Sequence, residues 1–145
     1  MSATTQRNLG EKPVLLALDW GTSSLRAYLL GATGNVLDTH QAPLGILRVP
    51  PGGFERAFAE VAAPWLRALP SLPVVACGMV GSAQGWAEAP YVRAPAEVRA
   101  LAAHCVRVPS GLGPEVLIAP GVLFDPAERA PDVMRGEEMQ IAGAL

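Results

Sequence analysis

Residues 14–18 are an unbroken apolar run, Val14-Leu15-Leu16-Ala17-Leu18, closed by Asp19. A run that short between polar residues predicts a strand buried on both faces. A polar turn over 21–24 leads into a second apolar stretch, 25–30, which predicts a second strand. Gly31-Ala32-Thr33-Gly34-Asn35 then reads as a hairpin turn, returning the chain into a third strand over 36–41. From 52 to 69 the period changes. Phe54, Phe58, Val61, Trp65 and Leu69 recur at steps of three and four, while Glu55, Arg56, Glu60 and Arg67 fall largely off that stripe. This predicts an amphipathic helix, ended by Pro70 and Pro73, with Trp65 as a core residue. Residues 74–77 predict a fourth strand followed by a glycine-rich stretch over 78–85. A short helix over 95–105 has Pro95 near its first turn, a fifth strand covers 116–119, a loop 125–135, and a third helix 136–145.

The element order is therefore β-β-β-α-β-α-β-α. Hairpins followed by β-α-β crossovers predict an α/β fold: a mixed five-stranded sheet with helices on both faces. That is the unit of the ribonuclease H-like (actin-like ATPase) domains. The polar residues 1–13 predict a flexible leader, and 14–145 a single domain. Met139, Ile141, Ala142, Ala144 and Leu145 carry the apolar pattern to the last residue, with no glycine stop followed by a polar tail. The expectation is a chain truncated before a C-terminal domain.

Composition narrows the function classes. Half of the 145 residues are hydrophobic and 17% are charged, which is a globular composition rather than a disordered one. The net charge of −2 and scattered basic residues give no field for nucleic acid or an anionic membrane. Cys77 and Cys105 lie far apart, and neither they nor His40 and His104 have metal-ligand spacing. Cys77, inside an apolar run, is expected to be a buried thiol. No secretory h-region and no run of ~20 apolar residues occurs, so the expected place is a reducing cytoplasm.

The chemistry concentrates in Asp19-Trp20-Gly21-Thr22-Ser23-Ser24-Leu25-Arg26. A carboxylate at a strand end can hold Mg²⁺ through water. The tight turn calls on Gly21 for backbone freedom. Its N–H groups and the hydroxyls of Thr22, Ser23 and Ser24 can face phosphate oxygens, with Arg26 adding a planar cationic fork. An ordinary hairpin with a polar turn is the plain alternative. In the glycine-rich stretch, Gly81, Ser82, Gln84 and Trp86 offer backbone access, polar contact and a stacking surface for a ligand. Arg26, Arg93 and Arg135 are candidates for pairing with a substrate carboxylate. Glu137 and Glu138 open the last helix. Either they complement the helix dipole or one of them accepts a hydroxyl proton during phosphoryl transfer. Glu138 is the first choice for that base and Glu137 the second.

The segment from Asp19 to Arg26 resembles the first phosphate motif of actin-like sugar kinases. The wider pattern resembles the 2-dehydro-3-deoxygalactonokinase family. It comprises Gly78-Met79-Val80-Gly81-Ser82, Gly85-Trp86, Ala89-Pro90-Tyr91, Pro120-Gly121 and Val133-Met134-Arg135-Gly136-Glu137-Glu138, with Gln140 close behind. The Gly136-Glu137-Glu138 stretch is also similar to one in exopolyphosphatases of the same superfamily. The resemblance implies an ATP- and Mg²⁺-dependent kinase acting on 2-dehydro-3-deoxy-D-galactonate at its 6-hydroxyl, in bacterial galactonate catabolism. It implies a sugar acid and ATP as partners, and it allows a homodimer in the full-length form. It further implies that the second phosphate motif and the adenosine motif lie in a C-terminal half, since neither follows here, so this chain alone is expected to be inactive. Two competing readings are a phosphohydrolase of the same superfamily and a non-catalytic sugar-acid or nucleotide-binding fragment.

Overall fold

In the computed structural model, which describes residues 11–95, 97–124 and 130–136, the first apolar run becomes strand β1 (Pro13–Trp20). It pairs antiparallel with β2 (Leu25–Gly31), and β2 pairs antiparallel with β3 (Val36–Ala42), as the hairpin pattern predicts. Burial alternates along β1. Leu16, Leu18 and Trp20 are sealed, while Leu15, Ala17 and Asp19 are half-buried. The expectation of a strand sealed on both faces therefore holds for one face. The cause is α1 (Phe54–Ala68), which lays Ala57, Phe58, Val61, Ala62 and Leu66 against that face, in one core with Leu16, Leu18, Leu25 and Ala27.

Two polar contacts fix α1 on the hairpin. The indole N–H of Trp65 donates to Asp38 at 3.0 Å, and His40 Nδ1 lies 3.2 Å from the Val61 carbonyl. Trp65 is thus half-buried, packed on the core with its N–H satisfied at the rim.

The later elements are β4 (Val74–Cys77), β5 (Val92–Arg93), α2 (Val98–Ala103), β6 (Val106–Pro109), β7 (Glu115–Ile118), β8 (Val122–Phe124) and β9 (Asp132–Met134). The main sheet has six strands in the order β3-β2-β1-β4-β7-β6, with β1, β4 and β7 parallel. The five strands expected from sequence are its first five in that order. The sixth, β6, was not expected. It pairs antiparallel with β7, and the helix expected over 95–105 stops at Ala103 because Val106 and Val108 go to the sheet edge. A separate three-stranded sheet, β5-β8-β9, was also missed, and β9 lies within the stretch expected to be loop. The third helix, expected over 136–145, lies outside the described residues from 137 onward.

Parallel pairing decides where a site can form. The C-terminal ends of β1, β4 and β7 fall on one edge, with Asp19 beside Cys77 and Ala76 beside Ile118. In open sheets with parallel strands, ligands bind beyond that edge.

Candidate functional site

Asp19 is the penultimate residue of β1. Cross-strand register sets Cys77, Asp19, Arg26 and Gln41 in one lateral row over β4, β1, β2 and β3. Residues directly opposite project to the same face, and this is the face that α1 leaves open. Cys77 is accordingly half-buried rather than buried as expected. Gln41 and Cys77 were not among the candidates from sequence, although the register of the hairpin would have indicated Gln41. Burial pushes the other thiol, Cys105, above its ordinary value, so it is a poor nucleophile.

The turn beyond β1 spends its carbonyls on its own fold. Gly21 N–H donates to the Ser24 carbonyl at 3.0 Å, and the Gly21 and Thr22 carbonyls accept from Ile46 at 2.9 Å and Leu47 at 3.2 Å. The N–H groups of Thr22, Ser23 and Ser24 make no hydrogen bond among the described residues. Thr22 and Ser23 are exposed and Ser24 is half-buried. Donors in excess, with carbonyls turned away, are what an anion requires. Arg26 is exposed one strand over.

Gly21 itself corrects an expectation. Its φ is not positive, and a Cβ there would meet only the Ser24 carbonyl oxygen, at 3.8 Å. The turn does not use glycine for backbone freedom at this position. Gly21→Ala is therefore expected to leave stability unchanged or raise it by about 0.4–1 kcal/mol, checked by urea unfolding.

The strict glycine is Gly78, directly after β4. Its φ is +101°, and a Cβ would stand 2.8 Å from the Trp20 carbonyl oxygen and 3.6 Å from Asp19 Oδ1. Gly78→Ala is expected to cost more than about 1 kcal/mol in the same measurement, through a left-handed backbone and a clash against β1.

From Gly78 the chain makes a 3₁₀ turn, Met79–Gly81, and Ser82 follows, 9% exposed, its hydroxyl donating to the Met79 carbonyl at 2.6 Å. Arg135 reaches this loop from the end of β9. Its Nη2 donates to the Ala89 carbonyl at 2.8 Å, its guanidinium carbon lies 4.5 Å from the Tyr91 ring centroid, and its Nη1 would stand 2.6 Å from a Cβ on Gly81. Gly81, Ser82 and Arg135 are thus brought together. Trp86 turns toward the core instead, its ring centroid 5.9 Å from those of Trp20 and Phe58 and 6.2 Å from that of Phe54, stacked on the last. Gly136 is buried, and a Cβ on it would touch the Gly78 Cα at 3.3 Å. The chain therefore passes within contact of the residue that flanks Asp19. Glu137, Glu138 and Gln140 lie outside the described residues.

A magnesium ion suits Asp19 in one manner. Mg²⁺ commonly takes one or two carboxylates and fills its shell with water and substrate phosphates. Asp19 offers one half-exposed carboxylate beside an anion-ready turn, and no group of three or more His, Cys, Asp or Glu that could hold a metal exists among the described residues.

The sequence model of the 2-keto-3-deoxy-galactonokinase family matches residues 19–145. The chain belongs to that family. It is 39% identical over 132 residues to a probable 2-dehydro-3-deoxygalactonokinase of Rhizobium meliloti, covering 88% of this chain and 41% of the relative. It is 35% identical over 129 residues to the 2-dehydro-3-deoxygalactonokinase of Escherichia coli, covering 89% and 41%. A crystal structure of a Sinorhizobium meliloti protein carrying the same kinase designation superposes with a TM-score of 0.73 at 35% identity, over 90% of this chain and 42% of that one. The chain thus spans about two fifths of the length of the curated relatives it matches. The 2-keto-3-deoxy-galactonokinase match begins at Asp19 and takes in both the turn and the Gly78 loop. No helix among the described residues is long and apolar enough to cross a membrane.

Proposed function

We propose that this chain forms the phosphate-binding and sugar-acid-binding part of a cytoplasmic, ATP-dependent kinase of the actin-like, ribonuclease H-like type. Its substrate is 2-dehydro-3-deoxy-D-galactonate, phosphorylated at the 6-hydroxyl. The observation that carries this reading is the turn after β1. Three consecutive N–H groups, of Thr22, Ser23 and Ser24, have no acceptor among the described residues, and they stand beside a strand-end carboxylate and an exposed arginine.

Each residue has a task in that reaction. The N–H groups and hydroxyls of Thr22, Ser23 and Ser24, with Arg26, hold phosphate oxygens as charge shifts toward the leaving group. Asp19 would hold Mg²⁺, which when bound would supply charge neutralisation on the phosphates. Gly81, Ser82 and Arg135 border the sugar acid, with Arg135 acting from a guanidinium already braced on Ala89 and Tyr91. Glu138 accepts the proton of the 6-hydroxyl as its oxygen attacks the γ-phosphorus. The second phosphate motif and the adenosine motif belong to the part of the relatives' length that this chain does not span.

The test compares two proteins in a coupled assay of ADP release with ATP, Mg²⁺ and 2-dehydro-3-deoxy-D-galactonate. One is residues 1–145 alone. The other is the same chain joined to the C-terminal remainder of the Rhizobium meliloti relative. Turnover is expected in the joined protein, with phosphorus NMR placing the product phosphate on the 6-oxygen, and negligible turnover in the chain alone. Robust turnover by the chain alone would sink the two-part reading. A folded joined protein that phosphorylates other sugar acids but not this one would replace the substrate.

A further inference from the structure

The turn that binds phosphate in this reading closes on itself through one hydrogen bond, from Gly21 N–H to the Ser24 carbonyl. Its Gly21 and Thr22 carbonyls point to a second segment, residues 44–47, which lies between β3 and α1. The Ile46 and Leu47 N–H groups donate to the Gly21 and Thr22 carbonyls. The Leu44 carbonyl in turn accepts from the Trp20 indole N–H at 2.8 Å. Trp20 is fully buried, and the Ile46 side chain enters the same core. One backbone is therefore pinned to the core on both sides of Gly45 and laid directly on another.

Gly45 makes that approach possible. It is buried, and an added Cβ would overlap the Thr22 carbonyl group and the Ser23 nitrogen. Its φ of −58° is open to any residue, so the requirement is for space alone. Those colliding atoms belong to the peptide link between two of the three donors. Any side chain at 45 must push this link outward, toward the space where the N–H groups face.

We infer that residues 44–47 are a strap that presets the phosphate turn, and that Gly45 is a positioning residue of the site. The strap fixes the carbonyls inward before any ligand arrives, so the N–H groups need no reorganisation on binding. The ligand half of this inference rests on the phosphate reading above. The strap itself rests on the hydrogen bonds and the close approach.

Hydrogen exchange followed by NMR on the chain 1–145 tests the strap. The Ile46 and Leu47 amides are expected to exchange at least tenfold more slowly than those of Thr22 and Ser23. Gly45→Ala is expected to erase that protection and to weaken binding of magnesium pyrophosphate, read by calorimetry, at least tenfold. Gly34→Ala is the control. Gly34 has φ +83° with open space around it, at the far end of the β2–β3 hairpin. That variant pays a backbone cost without touching the turn, and its pyrophosphate affinity is expected to stay within twofold of wild type. Should Gly45→Ala not fold, replacing Leu47 by its α-hydroxy acid removes one strap hydrogen bond at a side chain 78% exposed, and the same loss of affinity is expected. Wild-type Ile46 and Leu47 amides exchanging as fast as those of Thr22 and Ser23 would overturn the strap. A folded Gly45→Ala with unchanged affinity, or a Gly34→Ala that loses as much, would overturn the positioning role. Wild-type chain that binds no pyrophosphate defeats the phosphate reading and the ligand half with it, while the exchange arm still judges the strap.

Discussion

Asp19→Asn is expected to lower turnover about a hundred- to a thousand-fold, or roughly 3–4 kcal/mol of lost transition-state stabilisation. The setting is the chain joined to the C-terminal remainder of the Rhizobium meliloti relative. The substitution keeps the shape of the side chain and removes the charge proposed to hold Mg²⁺. Asp19 is half-buried at the end of β1, and no hydrogen bond or ion pair engages its carboxylate among the described residues, so the fold loses little. Its neighbours in the lateral row, Cys77 and Arg26, stay in place because β1 is held by ladders on both sides. Circular dichroism and urea unfolding should therefore match wild type while kcat collapses at saturating ATP and sugar acid. An unchanged rate would take Asp19 out of the metal site and leave the turn as an ordinary hairpin connection.

The sequence signals that proved informative were local ones. β1, β2, β3, β4 and α1 were legible because each announces itself within its own few residues: an apolar run closed by Asp19, a hairpin turn at Gly31 to Asn35, a stripe at steps of three and four. What failed depends on partners far along the chain. β5, β8 and β9 are two or three residues each, too short for any period, and exist because Val92, Val122 and Met134 meet across the small sheet. β6 shows only two valines before Pro109, and its status as a strand comes from the neighbouring β7.

The site divides along the same line. The contiguous motif from Asp19 to Arg26 was readable in one pass, but its mechanical support was not. Gly21, inside the motif, carries the sequence signal for a required glycine, whereas the close approach occurs at Gly45, among residues that look like plain connection. Trp86 read as a surface for a ligand to stack on, because nothing near it in sequence reveals Trp20 and Phe54 waiting to enclose it. Arg135 read as an open fork for an anion. In the fold its guanidinium lies between Gly81, Ala89 and Tyr91, three positions more than forty residues upstream.

Glu138→Gln should lower turnover on the order of a hundred- to ten-thousand-fold, the usual range for a lost general base. Both Glu137 and Glu138 lie outside the described residues, and Gly136 is the described residue that precedes them. Gly136 is buried with φ +105° and touches Gly78, which itself abuts Trp20 and Asp19. Gly136 thus lies by the edge where β1 and β4 end, and Glu137 and Glu138 follow it in sequence. A base acts in the transition state and adds little to ground-state binding, so kcat should fall far more than KM rises. Glutamine keeps the size and most hydrogen bonding of glutamate, and dichroism should confirm an unchanged fold. Glu137→Gln is the paired control. A loss confined to Glu137→Gln moves the base by one residue and keeps the mechanism. If neither substitution slows the joined protein at saturating substrates, both carboxylates serve the chain locally. The hydroxyl proton must then leave through the remainder of the protein or through the phosphate itself, and the role assigned to this segment is wrong.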